Sequence, residues 1–162
     1  MVILGIDPGT AATGWGIIEA KVPKNKNSLV CINYGCIKTY PSSSPGDRLV
    51  IINSELKKLI KKYRPKTLAI EKLFFFKNLK TAMPVSQAKG VILMAAAENG
   101  IPVLEFTPPQ VKMAMVGYGR AEKIQIQKII KSLLRLKELP RPDDAADALA
   151  IAISCAYFLK KA

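Results

Sequence analysis

The first third of the chain consists of short apolar runs separated by polar segments that contain Pro and Gly. Runs of this length and composition predict β-strands. They predict strands over Val2–Ile6, Thr13–Ile18 and Leu29–Lys38, and the polar segment Lys21–Ser28 predicts a loop before the third strand. The segment Asp7–Thr10 predicts a turn after the first strand. Together the three strands predict an antiparallel meander.

Helical spacing of apolar residues begins after a Ser- and Pro-rich loop over Pro41–Pro45. Apolar residues then recur every three or four positions while lysines fall on the other face, so an amphipathic helix is predicted that ends before Pro65. Its apolar positions are Leu49, Ile52, Leu56, Leu59 and Tyr63. Thr67–Glu71 follows as a buried strand, after a helical crossover of the length that parallel pairing requires. The predicted fold is therefore mixed α/β.

The second half of the chain adds helices and one more strand. Gly100 predicts the end of one helix, and Pro142 is expected in the first turn of the last. Helices are predicted over Pro84–Asn99, from Pro108, over Ala121–Leu136 and from Pro142 onwards, with a loop over Leu73–Thr81, a strand over Val103–Phe106 and a flexible break at Gly117–Arg120.

One of these helices is apolar on every side over Val91–Ala97. A helix of this kind must be covered all round, either by the core or by a second subunit. We therefore expect a homodimer.

The charge of the chain is strongly positive. Its 162 residues include 25 Lys and Arg against 12 Asp and Glu, which gives a net charge of +13. Such a balance suits a polyanion, with nucleic acid as the first candidate. We expect no membrane partner, because the N-terminus lacks a basic region ahead of an apolar stretch and the longest uncharged run, Ala148–Leu159, is too short to span a bilayer. The length predicts a single domain over residues 1–162.

Cysteine and histidine usage narrows the chemistry. The three cysteines, Cys31, Cys36 and Cys155, lack metal-ligand spacing and lie in apolar segments, which indicates a reduced, cytoplasmic protein. Histidine is absent, so His-based triads and His-rich zinc sites are excluded. Hard oxygen ligands for Mg²⁺ or Mn²⁺ remain as the metal chemistry.

Acidic residues stand at the ends of apolar segments in this basic chain. Asp7 and Glu71 each end a predicted strand, and Asp143, Asp144 and Asp147 lie early in the last predicted helix. Each has a simpler interpretation, as a turn-forming Asp, a solvated strand end, or acids favoured by a helix N-terminus. Their joint occurrence favours a nuclease, because two-metal phosphodiester hydrolysis needs carboxylates from several elements.

Several motifs in order along the chain resemble the bacterial RuvC family of Holliday junction resolvases. The resemblance spans almost the whole chain. Its motifs are Ile3–Gly9, Ala69–Glu71 with Phe74 and Lys77-Asn78, Gln87–Gly90, Gln110–Lys112, Gly119–Lys123 and Asp144–Ala150.

The resemblance implies a ribonuclease-H-like fold, with a five-stranded mixed sheet of three antiparallel strands and then parallel strands, flanked by helices. It also implies a symmetric homodimer that cuts two like-polarity strands of a four-way DNA junction with Mg²⁺, for which Mn²⁺ can substitute, leaving 5′-phosphate and 3′-hydroxyl ends. The catalytic and metal-binding acids carried over by position are Asp7, Glu71, Asp144 and Asp147. Asp143 lies outside the aligned set.

The resemblance further assigns DNA contacts to Phe74, Lys112 and Lys123, and it implies coupling to the RuvA and RuvB branch-migration machinery. Aromatic side chains such as Phe74, Phe75 and Phe76 can stack on unpaired bases, although core packing is expected to claim at least one of the three. For the two lysines, a solvated helix face is the simpler interpretation.

Three other functions remain open from the residues. Asp7-Pro8-Gly9-Thr10 also resembles the phosphate-binding hairpin of actin-like and sugar-kinase phosphotransferases, although a chain of this length has no room for their second domain. A non-catalytic, structure-specific DNA binder would use the basic charge and would need the acids only as caps and turns. A related nuclease could also act on another branched DNA.

Overall fold

The chain forms one five-stranded mixed sheet with helices on both faces. The computed structural model describes residues 1–21, 28–72, 79–117, 119 and 121–161. In chain order the elements are β1 Val2–Asp7, β2 Ala12–Lys21, β3 Ser28–Lys38, α1 Pro45–Tyr63, β4 Thr67–Glu71, α2 Leu79–Glu98, β5 Val103–Phe106, α3 Pro108–Val116, α4 Lys123–Leu134 and α5 Asp143–Lys161.

The strand order in the sheet is β3-β2-β1-β4-β5. Strands β1, β2 and β3 pair antiparallel, whereas β4 pairs parallel to both β1 and β5. The antiparallel meander and the parallel crossover that the sequence predicts are therefore confirmed. Both parallel pairs place the carboxyl ends of their strands at the same edge of the sheet.

Two apolar cores lie on opposite faces of this sheet. Side chains alternate along β1, so that Ile3 packs on the face covered by α3, α4 and α5, while Leu4 and Ile6 pack on the face covered by α1 and α2. All three are fully buried. Burial on both faces explains why the strand is continuously apolar rather than alternating.

Helix α5 packs unusually close to the sheet because glycines face it. A Cβ atom at Gly5 would collide with the Ala148 carbonyl, and one at Gly14 would collide with the Asp144 carbonyl. Gly14 is also the register partner of Asp7 across β1 and β2. The close approach therefore brings the beginning of α5 beside the end of β1.

Boundaries of three helices differ from the predicted ones. Helix α2 begins at Leu79 rather than Pro84. Pro84 is tolerated inside the helix because the residues after it are packed in the core. Helix α4 is shorter at both ends than predicted, since Glu122 caps its beginning and Arg135 ends it in the left-handed conformation. Helix α5 begins at Asp143, so Pro142 precedes the first turn, and its carbonyl accepts from the N–H groups of Ala145 and Ala146.

The apolar helix α2 is covered on one side by the core. Ile92, Ala95 and Ala96 are buried, whereas Met94 is 47% exposed and Ala97 is also exposed. No helix among the described residues is both long enough and apolar enough to cross a bilayer.

Candidate active site

Two acids end neighbouring parallel strands. Asp7 is the last residue of β1 and Glu71 is the last residue of β4. Because Ile6 pairs with Ile70 in this parallel ladder, the acids that follow stand side by side at the carboxyl edge of the sheet. In open α/β sheets this edge is where binding sites form.

Two further acids reach the same edge from α5. Asp144 and Asp147 lie in the first turns of that helix, which the glycine contacts hold against β1 and β2. The four acids assigned by resemblance therefore come from three elements and converge at one end of the sheet.

Burial and neighbouring negative charge raise the pKa values of Asp7, Glu71 and Asp147. The pKa of Asp7 rises to about 8, first because the carboxyl group is buried and then because Glu71, Asp147 and Asp144 place negative charge near it. Burial, followed by the charge of Asp147, raises the pKa of Glu71. Burial also raises the pKa of Asp147, although Lys123 opposes this rise. Carboxylates gathered in this way require a cation if all are to be ionised.

Lys123 supplies a cation at the rim of the cluster. Its Nζ lies 3.1 Å from Asp147 Oδ2 and 3.4 Å from Asp143 Oδ2. Partial burial works against the charged form, but the hydrogen bond and charge of Asp147 outweigh it and raise the pKa of Lys123. Gln127, one turn later on α4, donates to Asp143 Oδ1 at 3.0 Å.

A cavity of about 260 Å³ opens beside the acids. Glu71 and Asp147 line one part of it, and Lys112 and Lys123 line another, over an apolar floor. The two lysines that the resemblance assigns to DNA contact therefore face the same space as two of the acids. Phe74, Phe75 and Phe76 lie outside the described residues.

A larger cavity, of about 630 Å³, lies at the other end of the sheet and does not contain the acids. Its lining includes Lys57, Lys61, Arg64 and Lys66, and Lys66 directly precedes β4 whereas Glu71 ends it. The volume of a cavity therefore does not identify the candidate active site in this protein. The convergent acids identify the smaller cavity as the candidate site.

The donor chemistry of the cluster fits a hard divalent cation, because its ligands are carboxylate oxygens. Within the described ranges, however, no group of three or more acidic or cysteine side chains is gathered tightly enough to hold a metal ion. The residue types fit a metal, and a ligand shell would require the carboxylates to move closer together.

Two side chains near the cluster were not assigned to the site from the sequence. Lys89 forms an ion pair with Glu105 at 2.6 Å. Its positive charge also opposes the increase in the pKa of Glu71. The sequence feature that could have drawn attention to Lys89 is a charged residue within a predicted helix that is largely apolar. Burial and then the charge of Asp144 raise the pKa of the Cys36 thiol, which therefore borders the cluster as a neutral group.

Comparison with known proteins gives consistent matches over nearly the whole chain. The profile of the family described as crossover junction endodeoxyribonuclease RuvC matches residues 3–155. The crossover junction endodeoxyribonuclease RuvC of Heliobacterium modesticaldum is 52% identical over 159 residues, which cover 98% of this chain and 96% of that protein.

Solved structures agree. Thermus thermophilus RuvC in complex with Holliday junction substrate matches with a TM-score of 0.92 at 35% identity, covering 99% of this chain and 96% of that one. The yeast mitochondrial Holliday junction resolvase Ydc2 shares the fold at 12% identity, with a TM-score of 0.69 and coverage of 98% of this chain and 80% of that one.

A mixed sheet in this strand order, with acids at its carboxyl edge, places the protein among the ribonuclease-H-like nucleases. The matches make the assignment more specific. The chain belongs to the RuvC family of crossover junction endodeoxyribonucleases, and it is an endodeoxyribonuclease. This membership decides against both the phosphotransferase and the non-catalytic DNA binder, and it implies a nuclease that depends on divalent metal.

Proposed function

We propose that this endonuclease resolves four-way Holliday junctions in DNA recombination and repair by paired, symmetric, Mg²⁺-dependent hydrolysis. The products are nicks with 5′-phosphate and 3′-hydroxyl ends. The observation that supports the proposal is the convergence of Asp7 and Glu71, at the ends of neighbouring strands, with Asp144 and Asp147 on α5, where burial and the other three acids together raise the pKa of Asp7 to about 8. A carboxyl group in that environment is ionised at neutral pH when bound cations offset the repulsion.

In this proposal Asp7, Glu71, Asp144 and Asp147 are the metal ligands. Divalent cations held there would activate a water molecule and stabilise the departing oxygen of the phosphodiester. Mg²⁺ is the expected ion and Mn²⁺ a substitute, because both prefer oxygen ligands.

DNA contacts are proposed for Lys112, Lys123 and Phe74. The two lysines share the cavity with Glu71 and Asp147. Their ammonium groups would attract a DNA phosphate that lies beside the acids. The role of Phe74 rests on the family resemblance and on the ability of aromatic rings to stack on bases.

A homodimer is proposed through α2. Between Met83 and Ala97 its exposed residues recur at alternating intervals of four and three, the spacing of a seam between two helices, at Met83, Gln87, Gly90, Met94 and Ala97. Met83 is 67% exposed, and a Cβ at Gly90 would meet no atom within 4 Å. A two-fold axis at this stripe would give two identical sites, which matches the two equivalent strands of a four-way junction.

The remaining proposals concern cellular context. We place the protein in the cytoplasm, which agrees with three free cysteines, and treat residues 1–162 as a single nuclease domain, which agrees with its one sheet. Coupling to RuvA and RuvB rests on family resemblance.

The direct test uses a synthetic four-way junction labelled on each strand. The purified protein should cut two opposed strands with Mg²⁺ or Mn²⁺, without ATP, and should cut forks and flaps far less. Asp7→Asn should bind the junction normally and leave it intact, whereas Glu55→Gln, on α1, should cut normally. Efficient cutting by Asp7→Asn, or equal cutting of every branched DNA, would contradict the proposal.

A further inference from the structure

Lys123 contacts two carboxylates that belong to different surroundings. Asp147 is one of the clustered acids, and its charge raises the pKa values of Asp7 and Glu71. Asp143 lies one turn earlier on α5 and does not contribute to either of those shifts. The ammonium group therefore lies between the cluster and an acid outside it.

Asp143 is itself held in place from α4. Its Oδ1 accepts from Gln127 Nε2 at 3.0 Å, and its Oδ2 lies 3.4 Å from Lys123 Nζ. Lys123 and Gln127 are four residues apart, so they lie on the same face of the helix. Asp143 thus receives one partner on each oxygen from a single face of α4.

A cation bound by Asp147 would compete with this ammonium group. The present Nζ to Oδ2 distance of 3.1 Å is an ion pair, and two positive charges on one carboxylate repel each other strongly. Repulsion from the metal therefore weakens the attraction between Lys123 and Asp147. The nearest acid that remains for it among the described residues is Asp143, which it already contacts.

We propose that Asp143 is a positioning residue that takes over the Lys123 ammonium when metal occupies Asp147. This transfer has two effects: it removes a competitor from the metal site, and it keeps Lys123 at the edge of the cavity where DNA phosphate is expected. The inference rests on the proposed function, since it requires Asp147 to bind metal. It assigns a role to an acid that the family resemblance leaves out.

A double-mutant cycle on metal binding tests the proposal. Mn²⁺ affinity of the whole protein is measured without DNA, by the magnetic resonance signal of free Mn²⁺, for the parent, Asp143→Asn, Lys123→Met and the double variant. Asp143→Asn should weaken Mn²⁺ binding about two- to fivefold, the range expected for an exposed ion pair, because the ammonium group is left with Asp147. Lys123→Met should tighten binding, and in that background Asp143→Asn should change little.

Additional variants separate this role from simple loss of charge. Asp143→Glu should restore most of the affinity, because it keeps a carboxylate within reach of Lys123. Glu55→Gln removes an exposed acid that pairs with Lys58 on α1, and it should leave Mn²⁺ affinity unchanged. In single-turnover cutting, Asp143→Asn should be slow at low Mn²⁺ and recover at saturating Mn²⁺.

Two outcomes would overturn the inference. If Asp143→Asn weakens Mn²⁺ binding equally with and without Lys123, Asp143 acts through its charge on the metal and not through the lysine. If it has no effect in either background, Asp143 takes no part. Failure of the proposed function looks different, since the parent would then bind no Mn²⁺ or bind it equally well after Asp7→Asn.

Discussion

Gly14 and Asp144 approach so closely that no side chain fits between them: a Cβ on the glycine would collide with the carbonyl carbon and oxygen of Asp144. Gly14 is also paired with Asp7 in the sheet. The absence of a side chain at one position therefore sets the distance between the acid that ends β1 and the acids that begin α5.

Gly14→Ala should accordingly displace α5 and damage both stability and activity. Overpacking against backbone atoms, which cannot move aside as a flexible side chain can, is expected to cost about 3 kcal/mol of unfolding free energy. Urea unfolding and junction cutting measure the two effects. Gly46→Ala is the matched control, because the nearest atom to its new Cβ is 3.9 Å away. Normal cutting by Gly14→Ala would show that the contact does not position the acids.

The clustered acids should make the metal-free protein less stable as pH rises. Folded Asp7 keeps its proton up to a pKa of about 8, whereas the unfolded chain releases it near the ordinary pKa of 3.8. Between these values the folded state binds more protons, so the free energy of unfolding falls with increasing pH. The upward shifts at Glu71 and Asp147 act in the same direction.

Asp7→Asn should therefore stabilise the metal-free protein at pH 8 by roughly 1–3 kcal/mol, since the amide has no proton that the unfolded chain would release. Urea unfolding in the presence of a chelator, from pH 5 to pH 9, measures this change, and the variant should show a flatter pH dependence than the parent. At pH 5 the two proteins should differ much less. Equal stability at pH 8 would mean that Asp7 is not held among the other acids.

Lys112 should affect cutting more than binding. Its side chain shares the cavity with Glu71 and Asp147, where it can stabilise charge on a reacting phosphate. We expect Lys112→Ala to slow single-turnover cutting roughly 10- to 100-fold, which is a smaller effect than removing a dedicated oxyanion-hole donor. The affinity for the junction should change little. Lys58→Ala, which removes an exposed lysine paired with Glu55, should cut at the parental rate. An equal loss in both variants would indicate a general effect of positive charge.

The exposed stripe on α2 should control assembly. Met94→Lys places a charge in the middle of the proposed seam, so sedimentation should show a monomer and the junction should be nicked on one strand rather than resolved. Met113 is 55% exposed on α3, and Met113→Lys should remain dimeric. A dimeric Met94→Lys protein with paired cutting would place the interface elsewhere.

The sequence was most informative where periodicity and chemistry coincide. The strands ending at Asp7 and Glu71 could be recognised because apolar runs stop at an acid, and the parallel crossover followed from the helix between them. The beginning of α2 could not be predicted, because Pro84 is tolerated inside a helix whose later turns are packed in the core.

The side-chain partners were also beyond the sequence. The contacts of Lys123 with Asp143 and Asp147 join residues on different helices, and they depend on how α4 and α5 pack. Lys123 is at least 20 residues away from either acid in the sequence. The tight contact at Gly14 likewise depends on a helix that comes far later in the chain.

The order in which the acids appear along the polypeptide has a consequence for the cell. Two of the four come from α5, which follows all the other described elements. A ribosome that stalls before this helix, or a prematurely terminated message, yields a product with only half of the carboxylates proposed to bind metal. Junction cutting by a nascent chain should therefore begin only after α5 has been synthesised and has packed against the sheet.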